Sequence, residues 1–465
     1  MSEKEAIQGG LFMRRVLLGA MVLMLVAGMV FAGGGREAAV AESADDFTGE
    51  FDWRRFEGQT IKLLLNQHPY TDGMLNELDT FEQRTGITVE YDIFPEEEYF
   101  DRLTIALSSG STEYDAFMTG AYMVWQYMPP GWMEDIMPWI DNPSVTNPNY
   151  DFDDIIDGIA GGLRWDGVDG SEIGEGGQWA LPWGFEGNTL MYNKPLFERL
   201  GLELPRTLDE VIEIGRVIQR ETDMIPIAVR GTRSWATIHP GFMTAFTSAG
   251  GRDYDANMNP MMNNDVGVRF ADKWIEMVQE VGPPEWTSYT WYDVGNSLGA
   301  ESAAMIYDAD ILGFFQNVEG ASAAAGKVAW AAAPPGLDGP ANTPNMWTWA
   351  LSMNSHSRRK GPAWYWLQWA TGKEFLTIAA VEHNTVNPVR ASIWNNPDFQ
   401  ARLNDFDGYL EQYENLIDGT GIHFTPQSRF FETTTEWAAA LHQIYDGGNA
   451  KQVLDDLARR LADEF

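Results

Sequence analysis

The stretch "WALPWGFEGNTLMYNKPLFERLGLELPRTLDEV", residues 179–211, sets one carboxylate, Glu186, inside an otherwise largely uncharged, aromatic run. A charge buried in an apolar strand is costly unless it is paired, so Glu186 needs either an internal ion pair or a bound ligand. Beyond it, "KPLFERL" reads as a short helix stopped by Gly201. Thr207 then opens the next helix as N-cap, with Glu210 three residues on, a capping box. Strand passing into helix in this way points to an α/β fold.

Working outward, the alternation continues on both sides. "TIKLLL" (60–65) reads as a buried strand, 73–85 as a helix through Met74, Leu75, Leu78 and Phe81 closed by Gly86, and "ITVEYDIF" (87–94) as a second strand. Residues 96–108 read as a helix and "EYDAFMTG" (113–120) as a third strand. The following "AYMVWQYMPPGW" (121–132) is expected to be an aromatic, proline-rich loop at a strand's carboxyl end, where ligand contacts belong. A hairpin is expected over 163–184, its Asp166, Asp169 and Glu172 being turn acids because their spacing does not fit an EF-hand. Further strands are read in "IPIAVRG" (225–231), "SAAMIYD" (302–308) and "NMWTWALSMN" (345–354), with helices between and after them. Such alternation implies a mostly parallel sheet, and no short-period repeat interrupts it.

Composition removes whole classes of function. With 465 residues, 44% apolar and 21% charged, the chain is globular and long enough for two or three domains. Its 68 acids against 31 bases, a net charge of -37, exclude nucleic acid and disfavour anionic lipid as partners. Lysine is scarcer than arginine, a balance that fits either a saline habitat or simply an acidic exported protein. The absence of cysteine excludes disulfides, thiolate zinc sites, cysteine nucleophiles and a lipid-modified cysteine. "MRRVLLGAMVLMLVAGMVFA" (13–32) has a basic head, an apolar run and a small-x-small end, so 1–32 read as a signal peptide with Met13 as its start. An uncleaved anchor is the alternative, although the run is shorter than a spanning helix. Residues 33–55 read as a flexible tether.

The order of these segments resembles the extracellular solute-binding proteins of bacterial ABC sugar importers, the maltose-binding-like group. The opening stretch is similar to that group's Leu-Pro strand, Tyr-Asn-Lys, Leu-Phe helix and Asp-Glu helix. "IAVRG" (227–231) with Trp235, "AAMIYDAD" (303–310), "NMWTWALSMNSHS" (345–357) and "NPVRASIWNNPDF" (387–399) resemble the sorbitol- and mannitol-binding branch. Ile306, where an aromatic is usual, and Met353-Asn354, in place of Ile-Pro, depart from it. The resemblance implies a two-lobed, type II periplasmic-binding-protein fold, each lobe a mixed sheet flanked by helices, with the ligand cleft between them. The lobes would comprise 56–185 with 350–391, and 186–349 with 392–465, which puts Glu186 at the cleft floor. It further implies a monomeric, periplasmic importer component that hands its ligand to an inner-membrane ABC permease, without a cofactor.

The residues themselves support a sugar or polyol. Such ligands need flat aromatics for their C–H faces and charged planar groups for adjacent hydroxyls. Trp183, Trp235, Trp347 and Trp349 stand beside polar residues at strand ends, while Glu186, Arg230, Asp308 and Arg390 follow or interrupt apolar strands. His68 follows the first strand. Each has a structural alternative, core packing for the tryptophans and a salt bridge for the charges. Trp364, Trp366 and Trp369 are assigned to the core. Two other functions remain open at this point: a secreted carbohydrate-active enzyme using Glu186 and Asp308 as paired carboxylates, and a sugar-sensing receptor module.

Overall fold

The computed structural model describes residues 42–462, and these contain ten strands. They are β1 (Thr60–Asn66), β2 (Thr88–Phe94), β3 (Ala116–Gly120), β4 (Arg164–Trp165), β5 (Gly177–Gln178), β6 (Leu181–Asn193), β7 (Ile225–Ala228), β8 (Ala303–Ala309), β9 (Val328–Trp330) and β10 (Met346–Met353). Eight join in one mixed sheet of order β2-β1-β3-β10-β6-β8-β7, with β9 also paired to β6. The β4–β5 pair is the expected hairpin.

β6 organises this sheet because it changes partners along its length. From Leu181 to Gly187 it pairs antiparallel with β10, which in turn joins the parallel set β1–β3. From Asn188 to Asn193 it pairs instead with β8 and β9, and β8 lies parallel to β7. Two half-sheets therefore share one continuous strand. All thirteen of its residues except Tyr192 are buried, the polar Glu186, Asn188, Thr189 and Asn193 among them.

Helices cover the half-sheets, and their ends follow local chemistry. The helix Pro69–Thr85 begins earlier than the apolar spacing suggests, because His68 caps it: Nδ1 accepts the Tyr70 N–H at 3.3 Å and Pro69 takes the first position. Gly86, at φ 70°, ends it in the left-handed conformation that glycine adopts without a Cβ penalty. At Thr207 the hydroxyl accepts the Glu210 N–H at 3.1 Å, but Glu210 returns its bond to the Arg206 N–H, one residue before the cap. Trp364, Trp366 and Trp369 are core residues.

Three expectations are corrected. The sheet is not mostly parallel: β1–β2, β1–β3 and β7–β8 pair parallel, but β10 and β6 run antiparallel to every neighbour, because they cross between the half-sheets. Residues 121–132 are not all loop: Ala121–Tyr127 is a helix with six of its seven side chains buried, and only the Pro129-Pro130 end is irregular. Prolines stop a helix but do not prevent one before them. Residues 42–55 are not a free tether either. Ala44 is buried, Asn142 Nδ2 donates to the carbonyls of Ala44 and Phe47, and Glu42 accepts the Gly361 N–H at 2.8 Å. The signal-peptide reading and residues 33–41 lie outside the described residues. No described helix is long and apolar enough to cross a membrane.

Candidate functional site

Carboxyl ends of strands converge where β6 and β10 run side by side. His68 follows β1, Arg230 follows β7 and Ala309 ends β8, and all three line one cleft. Glu186 and Trp347 are directly opposite each other in the β6–β10 register, and Trp349 stands two residues along. Trp349 Nε1 donates to Glu186 Oε1 at 2.7 Å. Trp347 and Trp349 meet edge to face at 5.2 Å, and Trp235 lies against Trp347 at 5.3 Å and 30°. This aromatic wall requires a bare backbone beneath it: a Cβ on Gly120, at the end of β3, would fall 1.9 Å from Trp347 Cζ2.

The charges are arranged in sequence from β8 inward. Asp308, fully buried, takes Arg230 in a bidentate pair, Nε to Oδ2 at 2.9 Å and Nη2 to Oδ1 at 2.5 Å, and also accepts the Ala309 N–H. Arg230 then faces the cleft. Burial pushes the Glu186 carboxyl up to about 8, against the pull of Arg230's charge and of the Trp349 hydrogen bond. Near neutral pH this group therefore holds a proton and can both donate and accept. Burial drives His68 down to about 3, so its ring is neutral.

Of the residues singled out in the sequence, His68, Glu186, Arg230, Trp235, Trp347 and Trp349 line this one cleft. Asp308 does not reach it and acts through Arg230. Trp183 and Arg390 lie elsewhere. The β6–β10 register slips between Trp349 and Ala350, so Trp183 is the unpaired residue of a bulge; its side chain packs in the core, 6.1 Å from the Tyr70 ring. Arg390 is buried against a different loop, donating to the carbonyls of Thr371 and Asp151 at 2.9 and 2.6 Å and facing Asp154 at 3.6 Å. Its guanidinium also covers the Tyr150 ring.

The cleft contains groups the sequence reading passed over: Glu96, His239, Trp291, Ile311 and Leu312. His239 carried a usable signal. It lies four residues after Trp235, on the same side of a short helical turn, and the two rings are 5.8 Å apart. Glu96 and Trp291 stand at helix starts, where a polar or aromatic residue has too many ordinary uses to be informative.

A cleft built on two half-sheets, with a strand continuous between them and the ligand-facing groups at strand ends, defines the two-lobed type II periplasmic-binding-protein fold. The same fold occurs in an ABC transporter solute-binding protein from Agrobacterium radiobacter K84 solved in complex with ribitol. There the TM-score is 0.75 at 20% identity, covering 88% of this chain and 99% of that one. Residues 67–375 match the bacterial extracellular solute-binding protein family, and the chain belongs to that family. It is 44% identical over 431 residues to the erythritol/L-threitol-binding protein of Mycolicibacterium smegmatis, covering 92% of this chain and 90% of that protein. It is 23% identical to the mannitol-binding protein of Pseudomonas aeruginosa over 66% of this chain and 67% of that protein. These relatives are binding proteins, not enzymes.

Proposed function

We propose that this protein is the exported ligand-binding component of an ABC importer and that its ligand is a short, uncharged polyol, with erythritol and L-threitol the first to test. The observation that carries this reading is the cleft. Tryptophan rings offer cover for C–H faces, and the polar groups between them are suited to hydroxyls. The 44% identity to an erythritol/L-threitol-binding protein supports a four-carbon chain length. Asp308 has both oxygens committed to Arg230 and Ala309, so it is not free to work with Glu186 as a paired carboxylate. We therefore expect reversible capture without turnover, followed by delivery of the ligand to a membrane permease by a monomer.

Calorimetric titration tests the ligand class. Erythritol and L-threitol should bind more tightly than ribitol or D-mannitol, and maltose and amino acids should give no heat; binding of maltose or an amino acid with none of a tetritol would overturn the reading. Export through a cleaved leader is part of the same proposal. Mass spectrometry of the secreted protein should find a mature start near Gly33, and an intact leader held in the membrane fraction would refute it. A lobe limit near residue 185 is supported by the change of partners along β6, from β10 to β8, just after Gly187.

A further inference from the structure

Two neutral histidines face the cleft from opposite sides of the sheet order, and their hydrogen bonds give them opposite tautomers. In a neutral imidazole one nitrogen donates and the other accepts, so the partner of one nitrogen determines the other. His68 Nδ1 accepts the Tyr70 N–H, which places the ring proton on Nε2. His239 is determined by a longer chain of bonds. Asn345 Oδ1 accepts the His423 N–H at 3.0 Å, which orients the Asn345 amide. Its Nδ2 lies 2.7 Å from the His239 carbonyl, 3.0 Å from Tyr122 Oη and 3.2 Å from His239 Nδ1, and its two N–H groups are assigned to the two shorter contacts. Tyr122 has one proton, and the Met346 carbonyl, an acceptor only, lies 3.0 Å from its oxygen. With that proton on Met346, the assignment that leaves no two lone pairs facing each other has His239 Nδ1–H donating to Oη across the remaining 3.0 Å contact. The reverse assignment would leave two oxygens facing each other without a hydrogen. His239 Nε2 is therefore a bare lone pair. Burial, helped by Arg230's charge, keeps this ring unprotonated. Neither Nε2 has a protein partner among the described residues.

Building on the polyol reading above, we propose that His68 donates to, and His239 accepts from, ligand hydroxyls, and that this opposed pair makes the cleft select an alcohol over its carboxylate-ended analogue. A hydroxyl can satisfy either ring. A carboxylate can only accept, so at His239 it leaves the lone pair unanswered. Nor does the cleft offer such an anion a spare cation: Arg230, the one lining Arg or Lys, is already held bidentate by Asp308.

Three measurements test this. In long-range nitrogen–proton NMR spectra of the whole protein, His68 should show the Nε2–H form and His239 the Nδ1–H form; the same tautomer at both would overturn the proposal. In calorimetry the wild type should bind erythritol at least a hundredfold tighter than erythronate. His68→Asn keeps a side-chain acceptor for the helix cap and His239→Asn keeps the donor to Tyr122, while both lose the cleft-facing nitrogen. Each should weaken erythritol binding about tenfold with an unchanged melting temperature. His239→Gln can turn an N–H₂ into the cleft, so it should narrow the erythritol-to-erythronate ratio tenfold or more. Wild-type selectivity retained in His239→Gln refutes the histidine pair and leaves the polyol reading intact. A wild type that binds no polyol removes both readings, and the first titration alone distinguishes that case.

Discussion

Glu186 is held in an apolar strand by one hydrogen bond from Trp349 and by the nearby charge of Arg230, which Asp308 already neutralises. Near neutral pH the Glu186 carboxyl is already uncharged, so Glu186→Gln strands no cation and should leave stability almost unchanged, while tetritol affinity falls about tenfold, equivalent to ~1.4 kcal/mol. Calorimetry and melting of this one variant check both halves: intact affinity with a large fall in melting temperature would make Glu186 a structural residue. Its pH behaviour is a separate test. The folded-state value of about 8 lies above the ordinary 4.5, so the protonated form favours folding. The stabilisation is complete below about 4.5 and is lost as pH rises towards 8. Without ligand, the melting temperature of the wild type relative to Glu186→Gln should therefore decline across that window. A difference that stays flat from pH 4.5 to 8 would show that the carboxyl titrates normally.

At the scale of elements, the Arg230–Asp308 pair ties the segment after β7 to the end of β8. Both side chains are nearly or wholly out of water. Breaking such a pair by removing one partner leaves a buried charge and costs about 3–5 kcal/mol, whereas replacing both by apolar groups is often neutral. Asp308→Asn should therefore lower stability by roughly that amount in denaturant melts. The double variant Arg230→Met, Asp308→Leu should recover most of the stability but not ligand binding. If Asp308→Asn melted like the wild type, the pair would not be what holds the strand ends together. Element existence was largely legible from sequence, since buried parallel strands read as short apolar runs and caps such as Thr207 and Gly86 mark helix ends. The helix at 121–127 was missed because its burial on nearly every side erases the periodicity that reveals an amphipathic helix.

Across the whole molecule, the cleft walls come from both half-sheets: His68 and Trp349 from the β1–β3 side, Arg230 and Ala309 from the β7–β8 side. A ligand that touches both sides stabilises only the arrangement in which they are close, which shifts the population towards closure. Small-angle scattering should show a smaller radius of gyration with saturating tetritol than without it. An unchanged radius, at a ligand concentration that calorimetry proves saturating, would rule out a closing hinge.

The sequence by itself determined the α/β class, the strand and helix succession, the class of partners excluded by charge, and a set of polar residues at strand ends. These are local or additive properties, encoded in periodicity, caps and composition. Tertiary structure decided which of those residues share a cleft. Trp349 and Glu186 are 163 positions apart, and Arg230 and Asp308 are 78 apart. No local pattern specifies that they meet; strand order and register do. Trp183, three residues before Glu186, falls on the opposite face of β6 by strand alternation, and there it packs into the core against Tyr70. Arg390 followed a strand-like segment as plausibly as Arg230 did, but it packs under another loop. The tautomer of His239 lies further still from sequence, since it depends on a hydrogen-bond chain through Asn345, Tyr122 and Met346 that only folding assembles.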